Sequence, residues 1–63
     1  MRFVSFPLLN GEVVAFNVSE ITLICVAKKG TRIFLKDGIY NDVQGEFSEI
    51  VEALNKSLSN IAE

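Results

Sequence analysis

The chain has 63 residues, of which 49% are hydrophobic and 22% charged, with six basic side chains against eight acidic ones and a mean hydropathy of +0.34. That length holds one domain. The absence of His excludes a His-based catalytic triad and His-ligated zinc or iron, and the single Cys25 excludes an internal disulfide or a Cys-x-x-Cys pair. A net charge of only −2 on so apolar a chain is the composition of a folded domain, not of a disordered one.

The first residues, Met1-Arg2-Phe3-Val4-Ser5-Phe6-Pro7, lack the basic, apolar and cleavage regions of a signal peptide. The longest nearly apolar stretch, residues 21–27, stops at Lys28-Lys29, far short of the ~20 residues a membrane helix needs. A cytoplasmic protein without membrane insertion is the expectation.

Turn signals divide the chain. Asn10-Gly11 marks the first turn, Lys28-Lys29-Gly30-Thr31 a second, and Asp37-Gly38 a third with the signature of a two-residue hairpin loop. The segments between them are rich in β-branched and aromatic residues, which predicts strands near residues 2–6, 12–17, 21–27, 32–36 and 39–43. The last third changes period. Phe47, Ile50, Val51, Leu54, Leu58 and Ile61 recur at spacings of three and four, a helical stripe that predicts a helix over about 46–60. Glu46, Glu49 and Glu52 lie in its first turns, where they complement the helix dipole, and Gly45 or Ser48 would cap it.

Alternation along the strands sorts the apolar residues by face. Ile21, Leu23 and Cys25 oppose Ile24 and Val26; Ile33 and Leu35 oppose Phe34; Ile39 and Val43 oppose Tyr40. Val4 and Phe6 likewise oppose Met1 and Phe3, while Val14 and Phe16 oppose Val13 and Ala15. The expected fold is therefore α+β, a twisted and mainly antiparallel sheet of four or five strands with one C-terminal helix packed on it. A single helix covers one face, so the other would carry some of Val4, Phe6, Phe16, Ile24, Val26, Phe34 and Tyr40. Either the sheet curls into a partly closed barrel, or that second face meets another chain. Association is favoured, because a domain this small lacks the area to bury two faces alone. Ile24, Val26, Phe34 and Tyr40 are the expected interface anchors and a second copy of the chain the expected partner, with a larger protein as an alternative.

Charge is polarised along the chain. Residues 1–36 carry five basic and two acidic side chains, net +3, and residues 37–63 carry one and six, net −5. The hairpin around residues 28–36 offers Lys28, Lys29, Arg32, Phe34 and Lys36 as a candidate surface for single-stranded nucleic acid, through phosphate contact and base stacking. The plainer explanation is a solvated hairpin whose lysines protect its edge, and an acidic overall balance makes nucleic acid the less expected partner. Cys25 has no His to activate it and apolar neighbours, so it reads as a small hydrophobe. Asp37, Asp42 and Glu46 do not follow the spacing of a calcium loop, and the four glycines form no phosphate-binding pattern. No enzyme motif, metal site or cofactor is expected.

The run Leu9-Asn10-Gly11, then Asn17, Ile21 and Ile24, then Thr31, Ile33, Leu35 and Gly38, then Val43, Glu49 and Ile50 resembles the small flagellar-operon FlbD-like proteins and similar short bacterial and phage proteins. It spans residues 8 to 54. The turn at residues 28–31 is longer than that family's, and Glu46 stands where a Ser is expected at the helix start. The resemblance implies a strand-rich unit closed by a C-terminal helix, without catalysis. A fainter similarity to the sheet of LytTR-type DNA-binding domains implies the regulatory alternative.

Overall fold

A computed structural model describes the backbone of residues 2–62 and the side chains of residues 2–56. The elements in chain order are β1 (Phe3–Pro7), β2 (Val13–Asn17), a 3-10 turn (Val18–Glu20), β3 (Ile21–Ala27), β4 (Gly30–Leu35), β5 (Tyr40–Val43) and α1 (Phe47–Ala62). The fold is α+β with a C-terminal helix, as the sequence pattern implies. Its strands do not form one sheet. β1 and β2 make a two-stranded antiparallel sheet, and β3, β4 and β5 a separate three-stranded one in that order.

The break has a local cause. Asn17 caps the 3-10 turn, its Oδ1 accepting from the Ser19 N–H at 3.2 Å and from the Ser19 hydroxyl at 2.9 Å. The chain is thereby redirected before β3 begins, so β2 and β3 do not pair. At the opposite side the two sheets touch through one bridge, Leu8 to Val43, where the Gln44 N–H donates to the Pro7 carbonyl at 2.8 Å. The Gln44 side-chain amide adds a bond to the Leu8 carbonyl, also at 2.8 Å.

Between the sheets lies the core: Phe6 and Phe16 from the first, Ile33 and Val43 from the second, and Ile50 and Leu54 from α1. The Phe6 and Phe16 rings meet tilted, with centroids 6.3 Å apart. Phe6 and Phe16 were expected on a surplus second face; folding the first hairpin over the second sheet buries them instead. Thr31, fully buried, donates its hydroxyl to the Gly45 carbonyl at 3.1 Å and so ties β4 to the segment that leads into the helix.

α1 packs on β3, β4 and the 3-10 turn. Its start corrects the expected cap. Glu46 occupies that position: its carbonyl accepts from the Ile50 N–H at 3.1 Å, and the Glu49 carboxylate reaches back to the Glu46 N–H at 3.1 Å, which is half of a capping box. Of the apolar stripe, Ile50 and Leu54 are buried and Val51 is half-buried, while the side chains of Leu58 and Ile61 lie outside the described residues. Among the described residues no helix is long and apolar enough to cross a membrane.

Candidate interaction surface

The helix and the first hairpin both cover one face of the three-stranded sheet, since the core residues of β4 and β5, Ile33 and Val43, point toward Phe6, Phe16, Ile50 and Leu54. Its other face has no cover from the described residues. Two rows of side chains cross it. The register aligns Leu23, Phe34 and Tyr40 in the first row, and Cys25, Arg32 and Asp42 in the second.

Three local features build these rows. The first is a bulge: Ile21 pairs with Leu35 but Leu23 pairs with Phe34, leaving Thr22 as an extra residue whose hydroxyl reaches the Phe34 carbonyl at 3.4 Å. A bulge reverses the alternation of the residues on one side of it. Ile21 therefore joins Ile24 against the core, while Leu23 stays on the open face with Cys25. The second is the β4–β5 loop, which holds three residues instead of the expected two. The Leu35 N–H bonds to the Ile39 carbonyl at 2.9 Å, the Asp37 carboxylate accepts from the Ile39 N–H at 3.0 Å, and Gly38 takes a positive φ of 88° at the position that closes such a loop. Tyr40 is consequently set opposite Phe34, and Asp42 opposite Arg32. The third is the two-residue link Lys28-Lys29, which joins Ala27 directly to its partner Gly30.

The rows brace each other. Arg32 grips Asp42 with two bonds, Nε to Oδ1 at 2.8 Å and Nη2 to Oδ2 at 3.2 Å. The same guanidinium lies 4.3 Å from the centroid of the Tyr40 ring, and the Tyr40 and Phe34 rings are tilted with centroids 5.3 Å apart. Leu23 and Tyr40 remain 54% and 49% exposed. Beyond Tyr40 the surface continues into an open groove of ≈ 340 Å³ bordered by Leu8, Leu9 and Asn10. The result is a fixed aromatic and aliphatic band edged by a neutralised ion pair.

That pair sets a pH response. The hydrogen bonds from Arg32 hold the Asp42 carboxyl below its ordinary value of 3.8, against an opposing push from desolvation, and the same bonds raise the Arg32 guanidinium. A carboxyl lowered by folding stabilises the folded state above its ordinary value, and that contribution is lost as pH falls through the lowered value. Melting temperature measured from pH 6 down to about pH 2 is expected to fall less steeply for Asp42→Asn than for the native chain; identical acid limbs would remove Asp42 from the pH response.

The four expected anchors divide. Phe34 and Tyr40 stand together on the open face. Ile24 is half-buried against the core on the opposite face, and Val26, 71% exposed, borders a cleft at the helix start with Ala27, Phe47 and Glu49. The expectation that all four share one face is corrected by the register: Ile24 pairs with Ile33 and Val26 with Thr31, both on the covered side of β4, while Phe34 pairs with Leu23. Leu23, Cys25 and Asp42 join the surface beyond the expected anchors: the two-residue Lys28-Lys29 link sets Leu23 and Cys25 opposite Phe34 and Arg32, and the three-residue β4–β5 loop, which leaves no periodic trace in the sequence, sets Asp42 there. The basic residues do not converge. Lys28 and Lys29 sit in the turn at one end of β4, Lys36 follows its other end, and Arg32 between them is engaged by Asp42. Among the described residues, no group of three or more His, Cys, Asp or Glu side chains is placed to hold a metal ion. Comparisons with protein-family profiles, with curated proteins and with solved structures find no match to this chain.

Proposed function

We propose that the chain is a non-enzymatic, cytoplasmic interaction module that self-associates through the open face of its three-stranded sheet, with Phe34 at the centre of the contact. The observation that carries this reading is the row Leu23–Phe34–Tyr40, an exposed apolar band held in one geometry by the Arg32 bridge between Tyr40 and Asp42. Pre-set aromatic side chains lose little freedom on binding, and such anchors near the middle of a desolvated patch dominate association energy. A second copy suits this face because Arg32 and Asp42 cancel within each chain, so two copies related by a two-fold axis bring no unpaired charge together. The nucleic-acid alternative draws less support, since its aromatic and its free lysines lie on separated parts of the hairpin.

Light scattering on a size-exclusion column is the direct test. Phe34→Glu buries a charge at the centre of the contact and is expected to lower the measured mass, while circular dichroism stays that of the native chain. A variant with the native mass and native fold would take Phe34 out of the interface. Salt-dependent retention of labelled single-stranded DNA or RNA by the native chain, lost on removing Lys28 and Lys29, would instead favour the nucleic-acid reading.

A further inference from the structure

We propose that β3 pairs edge to edge with β3 of a second copy, antiparallel, joining two three-stranded sheets into one continuous sheet. This contact rests on the self-association just described, and it differs from the open-face contact in using the backbone edge.

β3 is an end strand of its sheet, paired to β4 alone. Among the described residues, no backbone hydrogen bond is formed on its far side. It is the longest strand, seven residues reading Ile-Thr-Leu-Ile-Cys-Val-Ala, with neither a charge nor a proline. Monomeric proteins shield such edges with charges, prolines, short strands or a covering element, because the unpaired N–H and C=O groups are a template for another strand. The Thr22 bulge interrupts only the first part of β3, leaving residues 23–27 regular.

The ends of the strand choose the occupant and its direction. Glu20 immediately precedes β3, and Lys28 and Lys29 immediately follow it; all three are exposed. Antiparallel pairing about the middle of the strand brings Glu20 alongside Lys28 and Lys29 of the partner subunit, twice by symmetry. Parallel pairing would set like charges together. An isologous antiparallel contact of this kind is the self-complementary arrangement that a two-fold axis requires. The pairing also adjoins the two open faces, so that the Leu23–Phe34–Tyr40 rows of both copies lie on one surface. Edge and face contacts together then give a dimer of dimers.

The backbone parity identifies a probe. The Lys28-Lys29 link closes on the Ala27–Gly30 pair, so Val26 occupies a position whose N–H points to the free edge. Val26→Pro removes that donor without removing a bond to β4. Sedimentation at micromolar concentration is expected to give the native chain as the larger assembly, Val26→Pro and Phe34→Glu each as dimers, and the combined variant as a monomer. A folded Val26→Pro chain with native mass overturns the edge pairing. A Phe34→Glu chain with native mass, alongside a dissociated Val26→Pro chain, overturns the face reading and upholds the edge.

If proline at Val26 prevents folding, charge reversal decides. Glu20→Lys is expected to weaken association roughly tenfold at low salt, and adding Lys28→Glu and Lys29→Glu to restore it. Failure of Glu20→Lys to weaken association, or of the added reversals to restore it, overturns the antiparallel pairing.

Discussion

Replacing Ile33 with Ala is expected to lower the unfolding free energy by about 3 kcal/mol. The whole stability of a domain of this length is roughly 3–9 kcal/mol, so the variant should be close to unfolded at physiological temperature. Ile33 is 0% exposed and sits where all three layers meet, with Phe6 and Phe16 from the first hairpin and Ile50 and Leu54 from the helix in the same cluster. Its flanking partners in the sheet are Ile24 and Asn41. Truncation removes buried methyl groups and leaves a cavity lined by elements that cannot all close on it. Urea unfolding at fixed protein concentration is the measurement, because self-association adds stability by mass action. Leu23→Ala, on the open face, is the control and should cost under about 1 kcal/mol in a dissociated background. Equal losses at the two positions would mean that the core does not lie between the sheets.

Gly30→Ala should be nearly as damaging, on the order of 3 kcal/mol, for a backbone reason. Gly30 opens β4 with φ of 156°, and an added Cβ would overlap the Val43 carbonyl oxygen of β5. That oxygen belongs to Val43, a fully buried residue that also bridges to Leu8, so the obstacle is backbone that cannot swing aside as a side chain would. Moving it would pull apart the contact between the two sheets. Gly38→Ala separates this effect from the conformational one: Gly38 also has a positive φ, 88°, but its missing Cβ faces open space. It should cost about 1 kcal/mol. With about 4–8 °C of melting temperature per kcal/mol in a domain this size, the two variants are readily ranked by thermal unfolding. A Gly30→Ala chain as stable as Gly38→Ala would contradict the close approach of β4 to β5.

The elements were legible in the sequence because each carries its own local signal. The helical stripe from Phe47, the Asn10-Gly11 turn and the β-branched runs depend only on near neighbours, and the five strands and the helix lie close to their expected positions. The division into two sheets was not legible. Val18-Ser19-Glu20 reads as a short turn whether or not the strands on either side of it pair, and only the Asn17 cap geometry decides against pairing. The surface suffered from register in the same way. A two-residue Asp37-Gly38 loop would have placed Arg32 opposite Val43; the third loop residue moves it opposite Asp42 and creates the ion pair that braces Tyr40. Thr22 has no sequence mark that sets it apart as a bulge, yet it decides that Ile21 lies with Ile24 against the core while Leu23 stands opposite Phe34. Of the seven apolar residues expected on a second face, Phe6 and Phe16 are core because the first hairpin folds over the second sheet, and Val4 and Ile24 pack against that core. On the open face of the three-stranded sheet the apolar side chains that remain form one row, Leu23, Phe34 and Tyr40.

Sedimentation equilibrium of the native chain across a range of micromolar loading concentrations tests the central claim most directly. Self-association through the open sheet face requires a mass that rises with concentration above that of the 7.0 kDa chain. A mass fixed at that of one chain throughout the range would contradict it.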